Sequence, residues 1–152
     1  MPEVRQERTG WRCEEISKRH REWGYNCPAV DLDFMVVEYN YGKPVALIEY
    51  KDKHAKLPSL DHPTIKALAA LADGYKKPLP FFIAIYCPED WWFRVIPINE
   101  IAKKIYKGKT ELTEKRFVKS LYLIRNIALS DQDVQAINKL KDITPPKLES
   151  VA

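Results

Sequence analysis

Four side chains in the first third of the chain have the types and spacing of a hydrolytic centre: Asp31, Asp33, Glu49 and Lys51. They lie toward the outer ends of two runs, Asp31–Tyr39 and Lys43–Lys51, separated by Asn40-Tyr41-Gly42. If Tyr39 and Lys43 close a three-residue hairpin loop, Gly42 takes the left-handed conformation such a loop requires. Asp33 then lies opposite Glu49, and Asp31 opposite Lys51. Strand side chains alternate, so all four share one face of the sheet with Met35, Val37, Val45 and Leu47, and the other face is apolar. Facing carboxylates repel by roughly 0.2–1 kcal/mol in an exposed sheet and by more where water is excluded. A hard divalent cation such as Mg²⁺ offsets this, because it accepts one or two carboxylates and keeps sites for water and phosphate oxygens. Lys51 adds a second positive charge. Either Asp33 or Asp31 can serve as the main metal ligand, and the register favours Asp33.

The elements that must position these residues follow in order. Residues 3–23 are expected to form a helix with Ile16, His20 and Trp23 on one side and Cys13 near them. Glu15 lies at the border of that face, where a carboxylate can reach a site beside the core; the alternative is a surface pair with Arg19. After the hairpin, the polar loop carrying Lys53, His54 and Lys56 stands where it could touch substrate phosphates. A helix follows, capped by Asp61 with Pro63 in its first turn; its stripe of Ile65, Leu68, Ala69 and Ala72 allows close packing on a sheet. Phe81–Tyr86 reads as a strand buried on both faces, and Trp91–Pro97 as the next strand. Helices are expected from Asn99 to Tyr106, over 114–126, and after a Ser130/Asp133 capping box. Gly108-Lys-Thr110 reads as a separator, and Arg125 as a solvated arginine one turn from Tyr122.

Asp33 on one strand with Glu49-Tyr50-Lys51 on the next resembles the signature of the PD-(D/E)XK nuclease superfamily, the restriction endonuclease-like fold. The order helix, strand, strand, helix, strand, strand matches its αβββαβ core less one strand. The resemblance covers about residues 11–97. It implies a mixed α/β protein whose central mixed sheet is flanked by helices, with extra C-terminal helices. It also implies that Asp33, Glu49 and the Tyr50 carbonyl bind Mg²⁺ (or Mn²⁺), with Asp31 as the competing acid, and that Lys51 orients and deprotonates the attacking water. Some members add a Glu from the first helix, a position Glu15 matches, and the second helix can lend a polar residue, here Lys66. The activity implied is metal-dependent hydrolysis of phosphodiester bonds in DNA, an endonuclease of phage, restriction or repair type, with a homodimer as a family expectation.

Composition bounds these readings. The chain of 152 residues fits one domain over 1–144, with a core at about 11–97, a helical extension at about 98–144, and a mobile tail at 145–152. The charged N-terminus has no signal-peptide character and no apolar run suits a membrane span, which predicts a cytoplasmic protein without a membrane partner. Cys13, Cys27 and Cys87 form no C-x-x-C pair, so neither a disulfide framework nor a zinc site is indicated. The net charge is only +4, but between Lys103 and Arg125 basic residues outnumber acids by eight to two, a patch suited to a phosphate backbone or to a solvated helix face. No Gly-rich phosphate loop, H-E-x-x-H or G-x-S-x-G occurs, and no small-molecule cofactor is expected. Two other classes of function remain. One is a nuclease-fold module without turnover that binds nucleic acid or a protein partner. The other is a structural interaction domain presenting Trp91 and Trp92, which otherwise read as core.

Overall fold

The computed structural model describes residues 14–23, 32–126 and 128–147. It is a mixed α/β architecture, a five-stranded sheet with helices on both faces. The strands are β1 (Phe34–Glu38), β2 (Lys43–Asp52), β3 (Phe81–Tyr86), β4 (Phe93–Pro97) and β5 (Thr110–Leu112). Their spatial order is their sequence order. Only β2 and β3 run parallel, and the step between them is made by helix α2 (Pro63–Gly74). The remaining helices are α1 (Glu14–Trp23), α3 (Glu100–Ile105), α4 (Glu114–Arg125) and α5 (Asp131–Asn138).

The hairpin forms with the expected register at its open end, Phe34 facing Ile48 and Met35 facing Leu47. Nearer the turn it differs. A bulge between Val36 and Val37 brings Val37 opposite Pro44 and Glu38 opposite Lys43, so the loop spans four residues and contains a 3-10 turn, Tyr39–Tyr41. Pro44 has no N–H to give the ladder, and the strand steps past it. Gly42 has φ +58° and closes the turn through its N–H to the Tyr39 carbonyl at 3.2 Å.

Alternation along the strands divides the core in two. One face carries Ala46, Ile48, Phe82, Ala84, Phe93 and Val95 under Ala102, Tyr106 and Phe117; Phe93 and Phe117 stack with centroids 4.0 Å apart. The opposite face packs Leu47, Phe81, Ile83 and Ile85 against Ile65, Leu68 and Ala72 of α2. Asn99 joins the layers. Its Oδ1 accepts from the N–H groups of Phe81 (3.0 Å) and Ala102 (3.1 Å), and its Nδ2 donates to the Leu79 carbonyl (2.7 Å) and Asp73 Oδ1 (3.0 Å).

Several sequence expectations are corrected. The cap of α2 is His62, whose Nδ1 accepts from the Thr64 N–H at 3.2 Å, and not Asp61. Ile16 and Trp23, expected on a buried face, are about half exposed (48% and 51%); they are the only large apolar residues in a helix otherwise crowded with charge. The part of that expected helix before Glu14 lies outside the described residues, as do Cys13 and Cys27 and the side chain of His20. The segment read as a separator after Gly108 contributes β5, whose Thr110 pairs with Val95. Trp92 is core as expected, but Trp91 has φ +54°, is partly exposed and stacks on Tyr86. Arg125 is not a solvated residue: it grips Glu38 of β1 with Nε–Oε1 at 2.8 Å and Nη2–Oε2 at 3.0 Å. The stretch from residue 145, expected to be mobile, begins anchored, with Pro145 buried and the Pro146 carbonyl accepting from Arg94 Nη2 at 2.6 Å. No helix among the described residues is long and apolar enough to cross a membrane.

Candidate active site

The side chains of Glu49 and Lys51 project from β2 on the face that α2 covers further down, because they share parity with Leu47. Glu49 is only 8% exposed. Its Oε1 lies 3.3 Å from Lys51 Nζ, while Oε2 is buried with no hydrogen-bond partner. A buried carboxylate oxygen in that state ordinarily costs about 1–3 kcal/mol, so its retention calls for an explanation. Burial pushes the Glu49 carboxyl above its usual range, repulsion from Asp33 pushes it further, and the Lys51 hydrogen bond and charge pull the other way. Asp33 and Lys51 are the charges Glu49 feels among the described residues. Asp33 immediately precedes β1 and is exposed, in line with the pairing of Phe34 with Ile48.

Tyr50 points the other way. Its ring lies edge-on to Phe34 (5.0 Å), Tyr86 and Phe117 (both 6.3 Å), and burial pushes its hydroxyl up to about 12. Only its backbone is left for the site. Leu47 and Lys53 give their N–H groups to β3, at the Pro80 and Tyr86 carbonyls (3.0 and 2.9 Å). Odd-numbered residues of β2 therefore turn their backbone groups toward β3, and Tyr50 turns its carbonyl toward the β1 side, past the last paired residue of β1.

Beyond Lys51, the Asp52 Oδ1 accepts from the His54 N–H at 2.9 Å and shapes the loop. Lys53 is engaged by Glu89 Oε2 (3.1 Å) and lies 3.5 Å from Cys87 Sγ; Cys87 is buried and free, and donates to Glu89 at 3.0 Å. That thiol contact first, and Lys53 second, pull the Glu89 carboxyl down to about 2. His54, Lys56 and Lys66 are exposed, and Lys66 is turned away from the face of α2 that packs on the sheet. Glu15 is exposed on α1. Asp31 lies outside the described residues. The structure thus brings together Asp33, Glu49 and Lys51, with the Tyr50 carbonyl at the same end of β2, while Glu15 and Lys66 are exposed and are not among the groups acting on Glu49.

Sequence reasoning missed Arg94. It sits inside the apolar strand Phe93–Pro97 on the same sheet face as Lys51, 8% exposed, with Nε on Glu111 Oε1 at 3.1 Å and its guanidinium 4.6 Å from the Trp92 ring centre. A lone arginine in a run of buried residues is a readable signal, since such groups are seldom buried without a specific partner.

Among the described residues no group of three or more His, Cys, Asp or Glu side chains gathers as a metal cage. Mg²⁺ does not need one. Two carboxylates, a carbonyl and water suffice for it, and the unpartnered Glu49 oxygen beside Asp33 suits that donor set. No protein-family model, curated protein or solved structure matches this chain.

Proposed function

We propose that this protein is a metal-dependent nuclease of the PD-(D/E)XK type that hydrolyses phosphodiester bonds in DNA. The observation that carries the reading is the buried Glu49 carboxylate, with one oxygen on Lys51, the other without a hydrogen-bond partner, and Asp33 near enough to raise its carboxyl. An apolar or amide side chain would be less costly there in a protein that needed only its fold. The order of elements, one strand short of that family's core, supports it too: helix, hairpin, crossover helix and parallel strand, with Glu49 and Lys51 near the end of β2 and Asp33 just ahead of β1.

Asp33, Glu49 and the Tyr50 carbonyl would hold the Mg²⁺, which supplies water of lowered pKa and neutralises charge on the phosphate. Lys51 orients the attacking water through its ammonium and stabilises the hydroxide that forms as the water gives its proton to solvent. Burial of Glu49 keeps bulk water from one side of the pair and strengthens its pull on the Lys51 ammonium. The leaving oxygen takes its proton from solvent on the open side of Asp33, which is exposed.

Titration calorimetry with Mg²⁺ and Mn²⁺ on wild type, Asp33→Asn and Glu49→Gln, followed by incubation with plasmid and single-stranded DNA, tests the reading. Binding and cleavage are expected in wild type and absent in both variants. Unchanged cleavage by Glu49→Gln sinks the site. Absence of metal binding in wild type, even with DNA present, replaces the enzyme by a binding module.

A further inference from the structure

One open cleft lies on the same face of the sheet. It has a volume of about 470 Å³, within the range of sites that hold small ligands or single groups of larger ones. Arg94, Trp92, Lys53, His54, Thr144 and Pro146 are among the residues that line it. Strand register fixes its place relative to the acid pair: Lys51 of β2, Ile85 of β3 and Arg94 of β4 stand in one row. Strands are spaced roughly 4.8 Å apart, so the backbone of Arg94 lies about 10 Å from that of Lys51.

Arg94 is built in. Glu111 fixes its Nε, Trp92 backs its plane, and the Pro146 carbonyl takes one Nη2 hydrogen at 2.6 Å. A guanidinium carries five N–H groups, Glu111 and Pro146 take two of them, and Arg94 is among the residues that line the cleft. The Pro146 contact shows that an oxygen acceptor is accommodated at this cation. Lys53 is similarly held by Glu89, and Asp90 is the only carboxylate in the lining. Arrangements of fixed cations with open N–H groups suit phosphate oxygens, since such hydrogen bonds are charge-assisted.

We infer that this cleft is a phosphate subsite for the nucleic-acid strand, in which Arg94 holds a backbone phosphate beyond the one at Glu49 and Lys51. The inference rests on the nuclease reading and adds a residue and a direction to it. The strand runs across β2, β3 and β4 toward Thr144, so substrates that end short of the cleft bind more weakly than those that reach it. Phosphate held in this way fixes register without reading base identity.

Fluorescence anisotropy with short labelled single-stranded and duplex DNA, in EDTA and across a salt series, tests it alongside cleavage in Mg²⁺. Arg94→Gln is expected to weaken binding about tenfold and to lower the salt slope by roughly one phosphate contact. Because Arg94 also holds Glu111 and Pro146, a second variant leaves those bonds in place: Thr144→Trp fills the cleft from an exposed position in its lining and is expected to weaken binding similarly. Melting curves establish that each variant is folded. Wild-type affinity and salt slope in folded Thr144→Trp overturn the subsite while leaving nuclease activity standing. A wild type that neither binds nor cuts DNA overturns the nuclease reading, and the subsite with it.

Discussion

Glu49 is costly to the fold as it stands. Its charged form works against burial first and against Asp33 second, with Lys51 offsetting part of both. Because its folded value is raised, the folded protein holds that proton more tightly than the unfolded chain. The group is therefore most favourable to stability below its ordinary value of 4.5, and the advantage declines as pH rises from there through the raised value. Glu49→Gln should accordingly raise stability at neutral pH by on the order of 1 kcal/mol, with the gain vanishing in acid. Urea denaturation at the two pH values checks this; a loss at neutral pH would make Glu49 a structural partner of Lys51. Lys51→Ala should keep metal and DNA affinity while losing about 10²–10³-fold in rate, as removal of a group that orients and stabilises the nucleophile does. Single-turnover cleavage measures it, and normal turnover excludes Lys51 from the chemistry.

Elements differ in how far their placement could be read in advance. The hairpin was legible at its site end from the alternation of its strands, and Phe34 does face Ile48, but the three-residue loop was not: Glu38 faces Lys43, and the bulge restores the expected register further along. The bulge was not, since it depends on how the ladder accommodates Pro44. α3, α4 and the capping box of α5 were legible from Asn99, the Phe117–Ile124 stripe, and Ser130 with Asp133. β5 was hidden: three residues with mixed exposure carry no periodicity. The grip of Arg125 on Glu38 was hidden as well, because it joins residues 87 apart in sequence. That grip ties α4 to β1, and Arg125→Ala should cost about 1–3 kcal/mol. The hydrogen bond from Arg125 holds the Glu38 carboxyl below its usual value, so its contribution is full above 4.5 and is lost as pH falls through the lowered value. Denaturation of wild type and variant should converge in acid; a constant gap would assign the loss to packing.

At the scale of the whole molecule, the segment after α5 acts as a strap. The Lys141 N–H bonds Glu114, its Nζ reaches the Glu89 carbonyl at 2.8 Å, Pro145 is buried, and the Pro146 carbonyl holds Arg94. Truncation after Leu140 should therefore lower stability by about 2–4 kcal/mol, as the loss of more than one charge-assisted hydrogen bond would. Chemical denaturation of the truncated chain measures it, and an unchanged midpoint would make the strap a passive tail. The candidate site was legible only in part for a related reason. The acid pair and lysine belong to one hairpin, whereas the cleft around Arg94 draws on the loop after β2, on β4 and on this strap, which sequence spacing does not bring together.

The sheet whose strands lie in the order of the chain has a kinetic consequence. β1 with β2, and β3 with β4 and β5, can each pair through connections between neighbouring strands, whereas β2 finds β3 only when α2 has carried the chain across. Closing that longer loop costs entropy before the parallel pairing returns anything, so the search for the native state should be limited by the docking of α2. Changes at Leu68 and Ala72 should then slow folding, while changes at Tyr41 in the hairpin turn should leave the folding rate alone.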